Sequence, residues 1–117
     1  MKIIAQAGQE PPITTPEGAQ RRLLSYGGGM MAVQFTFDAD MTAPIHNHPH
    51  EQIGYVIEGE IDLHMEHEGE MRVTRLGAGC SYYVAPNVRH GIVTRTPSVL
   101  IDCFSPIRAD FLATNNE

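Results

Sequence analysis

The 117-residue chain predicts an all-β fold, a sandwich or small barrel assembled from many short strands. Three observations carry this expectation. Short runs rich in β-branched and aromatic residues recur along the chain, punctuated by Gly, Pro, Asn and Asp. In the clearest of these runs apolar and polar residues alternate with period 2, the pattern of a half-buried strand. Helical periodicity is missing from nearly the whole length.

Residues 13–20, ITTPEGAQ, read as loop, and RRLLSY after them as a strand. The Gly triplet at 27–29 turns the chain into MMAVQFTFD, where Met31, Val33, Phe35 and Phe37 alternate with Met30, Ala32, Gln34 and Thr36. IDLHMEH alternates more cleanly, with Ile61, Leu63 and Met65 on one face and Asp62, His64 and Glu66 on the other. EGE at 68–70 then signals a hairpin into MRVTRL. SYYVA, GIVT and SVLIDCF supply three further strands. Only PIRADFLA reads as helix, opened by Pro106 near its first turn, and the final residues 113–117 read as a frayed tail.

The length allows one domain with a single modest core. A net charge of −6 argues against nucleic acid and anionic membrane surfaces as partners, while leaving a local arginine site for a small anion possible. No apolar run approaches the roughly 20 residues of a membrane span, and MKIIAQAG does not resemble a signal peptide, so the cytoplasm is the expected location. Cys80 and Cys103 are too few for a disulfide framework and read as buried thiols, with a bridge between them left open.

The stretch HNHPHEQIGYVIEGE places three of the six histidines within five residues. In a strand, residues i and i+2 share a face about 6.6 Å apart, so His46 and His48 can converge on one metal ion with bonds of roughly 2.1 Å. Gln52 shares their parity and offers an amide oxygen. His50 also has that parity, but Pro49 disturbs the strand there and leaves its direction open. A further ligand must come from elsewhere. In APNVRHG the Pro-Asn pair favours a tight reversal that aims His90 back toward the sheet. His64 and His67 fit the solvent face of a hairpin.

The last strand holds a second anomaly. Alternation puts Leu100, Asp102 and Phe104 on one face and Val99, Ile101 and Cys103 on the other. Burying a carboxylate costs several kcal/mol unless it is paired. Asp102 therefore faces solvent, pairs with Arg21 or Arg22, or serves as an acid–base group in the barrel mouth near the metal. Phe104 is either a core aromatic or an apolar wall for a ligand. Arg108, just past a turn, is either a solvated helix residue or a planar fork for a substrate carboxylate.

These segments resemble the two motifs of the cupin family. His46-Asn47-His48, three residues, Gln52, six residues and Gly59 follow the first; Gly79 through His90 follow the second, with Ala85, Asn87 and Thr94 departing from its usual Pro, Gly and Asn. Together with the tail DCFSPIRADF they resemble more specifically the small cupins of the pectin-degradation type, KdgF. The resemblance covers about residues 20–112, leaving residues 1–19 as an N-terminal arm. It implies a single cupin domain of six to eight strands in a double-sheet, jelly-roll barrel, usually a homodimer. One divalent ion (Ni, Zn, Fe, Mn or Co) would sit inside, held by His46, His48, Gln52 and His90. Asp102, Phe104 and Arg108 would be the active-site residues. The implied activity opens the ring of 4,5-unsaturated monouronates from pectin or alginate, small anionic sugars, to a linear 4-deoxy-5-keto-uronate.

One departure bears on the chemistry. The usual Glu of the first motif is Gln52, so the metal keeps its full positive charge and no carboxylate helps to stabilise a higher oxidation state. That favours polarisation of substrate or water over oxidation. Two other classes of function remain open: a cupin oxygenase using Fe(II) and O₂ on a small organic substrate, and a non-catalytic metal- or sugar-binding cupin.

Overall fold

The structure is a computed structural model that describes residues 1–115. Ten strands and one helix follow one another: β1 (Ile13–Thr14), β2 (Gln20–Gly27), β3 (Met30–Phe37), β4 (Thr42–His46), β5 (Glu51–Glu58), β6 (Glu60–His67), β7 (Glu70–Gly77), β8 (Ser81–Val84), β9 (His90–Thr94), β10 (Ser98–Ser105) and α1 (Ala109–Asn115). They form a six-stranded sheet, β1-β2-β3-β10-β5-β8, and a four-stranded sheet, β4-β9-β6-β7. Every pairing is antiparallel. This is the double-sheet jelly roll, with more strands than the six to eight expected, the two-residue β1 among them.

The alternation read from sequence decides which face is buried. Met31, Val33 and Phe37 of β3 point inward, as do Ile61 and Leu63 of β6. Phe37, Ile61 and Leu63 pack with Ala19, Val56, Ile92 and Leu100 at one end of the space between the sheets. At the other end Leu23, Met31, Val33, Phe104 and Phe111 form a second cluster. The β6–β7 hairpin turns through Glu68 and Gly69, both at positive φ (52° and 80°), the twist-matched two-residue turn that EGE signalled. Strand β7 lies at a sheet edge and is exposed along most of its length.

Several expectations need correction. The segment ITTPEGAQ contains β1, which pairs Ile13 with Arg21. Pro106 does not open the helix: α1 begins at Ala109, because the Arg108 carbonyl accepts the first helical bonds, from Phe111 (3.0 Å) and Leu112 (3.4 Å). Residues 113–115 fall within α1, while residues 116–117 lie outside the described residues. The helix is anchored by Phe111, whose ring meets Phe104 edge-on at 5.7 Å. Both cysteines are free, and Cys103 is exposed, since β10 alternation points it away from the core. No helix among the described residues is long and apolar enough to cross a membrane.

Candidate metal centre and its buried acid

His46, His48 and His90 offer ligand atoms that all lie within 4.8 Å of one another. They do not converge by strand parity as expected. His46 ends β4 in the four-stranded sheet, whereas Gln52 is the second residue of β5 in the six-stranded sheet, and His48 sits in the crossing between them. Pro49 falls within that crossing, where no ladder bond is lost. On the other side, Asn87 takes φ 64° in its turn, and its N–H donates to the His48 carbonyl at 2.7 Å. That bond ties the β8–β9 turn to the histidine loop. His90 then opens β9 opposite His46. The two strands approach so closely beside it that a Cβ on Gly91 would meet the Ala43 carbonyl oxygen at 2.8 Å.

The hydrogen bonds settle the tautomers. Nδ1 of His46, His48 and His90 contacts the carbonyls of Pro44, His50 and Val88 at 2.9, 3.0 and 2.9 Å. A carbonyl can only accept, so each Nδ1 carries the proton and each Nε2 presents a lone pair. Backbone carbonyls are the orienting partners that metal-binding imidazoles generally need. Burial lowers the pKa of His48 and pushes that of His90 down to about 4, which favours the neutral ring in both.

Two consequences test the fit of a metal. His90 Nε2 is buried with no hydrogen-bond partner among the described residues. His48 Nε2 lies 2.9 Å from Gln52 Oε1, yet both are acceptors, because the Gln52 amide nitrogen donates instead to Asp102 at 2.9 Å. Lone pairs facing each other and an orphaned imidazole nitrogen are what a cation would satisfy. The residues present therefore fit a divalent ion held by His46, His48, His90 and the Gln52 oxygen. His50 does not join them: its carbonyl positions His48, while its own ring lies outside the cluster.

Asp102 is buried and forms no salt bridge with Arg21 or Arg22 among the described residues; its Oδ1 accepts from Gln52 (2.9 Å) and from the Tyr82 hydroxyl (3.2 Å). Burial pushes its carboxyl up to about 6, against those two hydrogen bonds and the charge of Arg108. Burial, and then the neighbouring carboxylate, push the Tyr82 hydroxyl well above its ordinary range. Phe104 is buried and lies edge-on to His48 at 5.8 Å, so its core and wall roles coincide. Arg108 stands over Phe104 at 5.1 Å, but its Nε and Nη2 donate to Asp110 at 3.0 and 2.9 Å.

A cavity of about 280 Å³ is lined by His46, Gln52, His90, Asp102, Phe104 and Arg108, the size of a small-molecule site. Two further lining residues escaped the sequence reading. In the sequence Tyr82 is marked only as a strand residue, although it shares inward parity with Val84. The sequence marks Arg21 only as a salt-bridge partner, although it too lines the cavity and is buried.

Comparison with known proteins agrees with this architecture. Residues 33–104 match the cupin domain family. The chain is 38% identical over 98 residues to the pectin degradation protein KdgF of Dickeya dadantii (strain 3937), covering 82% of this chain and 86% of that protein. Among solved structures, an RmlC-like cupin from Shewanella frigidimarina NCIMB 400 superposes with TM-score 0.84 at 36% identity, covering 95% of this chain and 96% of that one. KdgF from Halomonas sp. superposes with TM-score 0.80 at 32% identity, covering 95% and 98%. The chain belongs to the cupin family, and within it resembles KdgF.

Proposed function

We propose that this protein is a cytoplasmic, metal-dependent enzyme of uronate breakdown, opening the ring of 4,5-unsaturated monouronates released from pectin or alginate. The observation that carries the reading is the buried, partly protonatable Asp102, joined through Gln52 to the three-histidine cluster inside a sugar-sized cavity. Similarity to KdgF supports the substrate class.

The substrate is a cyclic enol ether with a carboxylate on C5. Its opening is an isomerisation: the anomeric O–H loses a proton, the bond between C1 and the ring oxygen breaks to leave an aldehyde and an enolate, and the enolate is protonated at C4 to give the 5-keto acid. A divalent ion held by His46, His48, His90 and Gln52 supplies Lewis-acid stabilisation of negative charge on substrate oxygen. Asp102 takes the anomeric proton and returns it to C4, a shuttle suited to a carboxyl near pKa 6. Gln52 and Tyr82 hold the carboxylate in place for both transfers. Phe104 forms the apolar wall, and Arg108 contributes positive charge at the mouth for an anionic sugar. The homodimer implied by the family is supported by Ile53, Tyr55 and Ile57 of β5 and Tyr83 of β8, all exposed on the outer sheet face.

The test follows the ultraviolet absorbance of the conjugated C4=C5 bond with wild type, Asp102→Ala and buffer. Loss of absorbance with wild type that disappears in the variant is expected. A wild-type rate equal to buffer, with folded and metal-loaded protein, would falsify the reading.

A further inference from the structure

Arg21 is 8% exposed, and its guanidinium has no hydrogen-bond partner among the described residues; Nε and Nη2 are sealed from solvent as well. Leaving charged N–H groups buried and unmade is costly, and burial accordingly lowers the pKa of this group. Its flat face is occupied, since Cζ stands 4.1 Å from the centre of the Phe111 ring. Stacking of that kind leaves the N–H edge for a planar acceptor. The charges of Asp110 and Glu17 favour the charged form of Arg21 through space. Arg108 offers a direct contrast. It also stands 4.1 Å over Phe111, but its Nε–Nη2 fork is filled by Asp110. Of two arginines on one aromatic ring, one has its Nε–Nη2 fork filled by a carboxylate, and the other has no such partner among the described residues.

Arg21 also faces the cavity of the metal centre. It lies on β2, two strands from β10, on an inward line through Phe35 and Leu100. At the spacing of neighbouring strands that is about 10 Å from the strand carrying Asp102, a distance that a monosaccharide and an extended arginine side chain span together.

We infer that Arg21 is the carboxylate subsite of this cavity, the group against which the acid of a uronate comes to rest, while Arg108 supplies field from the mouth. A small in-plane rotation of the stacked guanidinium brings its Nε–Nη2 edge onto the carboxylate as a bidentate pair. The choice of a uronate rests on the function proposed above; the carboxylate subsite itself does not.

The experiment therefore measures binding apart from turnover. Zinc-loaded wild type, Arg21→Gln, Arg21→Lys and Arg108→Gln are titrated calorimetrically with D-galacturonate, which has no C4=C5 bond, and with neutral D-galactose. Wild type should prefer the acid at least tenfold. Arg21→Gln should weaken galacturonate binding by about ten- to a hundredfold and leave galactose unchanged. Arg21→Lys, keeping charge without the fork, should fall between them, and Arg108→Gln should lose less than Arg21→Gln. Equal galacturonate affinity in Arg21→Gln and wild type overturns the inference, as does a larger loss in Arg108→Gln. If Arg21→Gln does not fold, Arg21→Lys and the wild-type preference decide, and a wild type that binds both sugars alike overturns it. Failure of ring opening with galacturonate binding intact would count against the proposed reaction alone.

Discussion

The side-chain amide of Gln52 donates to the Asp102 carboxylate at 2.9 Å, and that bond turns its carbonyl oxygen toward His48 Nε2, also 2.9 Å away. One neutral residue thus faces the histidine cluster with an acceptor and the buried acid with a donor. A glutamate at this position would place a second carboxylate beside Asp102, and like charges so close cannot both stay ionised. The Gln in the first motif and the Asp in the last strand belong together for that reason.

Replacing Asp102 with Asn keeps the shape and removes the proton carrier of the proposed reaction. Turnover of unsaturated uronate is expected to fall by roughly 10²- to 10⁴-fold, with zinc affinity kept within a few-fold. Steady-state kinetics and a metal titration on the same preparation check both halves. A comparable loss of metal would reassign Asp102 to holding the site together.

Tyr82 reaches Asp102 by lying flat across Gly54, where an added Cβ would fall 2.2 Å from the ring carbon Cζ. Gly54→Ala must therefore push the ring away, at a stability cost of about 1–3 kcal/mol from overpacking. Tyr82→Phe isolates the hydroxyl and should slow turnover about tenfold, the worth of one hydrogen bond to a charged group. Urea denaturation and kinetics separate the effects: Gly54→Ala should show both losses, Tyr82→Phe mainly the second.

Metal binding should raise the melting temperature. An ion at a hundred times its Kd stabilises the fold by about 2.7 kcal/mol, a rise on the order of 10 °C for a domain of this size. His90→Ala removes the buried orphan nitrogen and should abolish most of that rise. Calorimetric scans with zinc and with EDTA provide the measurement.

Docking of α1 should depend on pH. Hydrogen bonds from Arg108 hold the Asp110 carboxyl below its ordinary value. A carboxyl whose pKa is lowered by folding contributes stability above its unfolded pKa and loses it as pH falls through the folded value. The contribution should therefore be present at neutral pH and fade below about pH 4, and Asp110→Asn should lack it throughout. The difference in melting temperature between the two proteins, followed from pH 7 downward, should shrink on that schedule.

The outer face of β5 gives a test of assembly. Ile53→Lys with Ile57→Lys puts charge on two exposed apolar positions that do not reach the core. The pair should convert a dimer to monomer in light scattering while the monomer's circular dichroism stays unchanged. A wild type that is monomeric at high micromolar concentration would remove the dimer from the picture.

Much of this was legible in the chain because strand alternation is a local signal. The inward set Met31, Val33 and Phe37, the parity of Leu100, Asp102 and Phe104, and the EGE hairpin each depend on neighbours one or two positions away. Histidine spacing marked the members of the candidate metal cluster for the same reason, although the geometry behind it is different. His46 and His48 meet because the chain passes from one sheet to the other between them, which no period-2 argument describes. Arg21 and Tyr82 carry no such local mark. An arginine at the start of a strand and one tyrosine of a pair become site residues only when β2 and β8 close around the same cavity as β10. Whether Arg108 or Arg21 keeps a free fork was likewise decided by the fold, since α1 delivers Asp110 to one guanidinium and only the face of Phe111 to the other. Residue type and spacing determined the fold and which histidines cluster; burial, and which partners arrive from distant strands, determined which charged groups are left for a ligand.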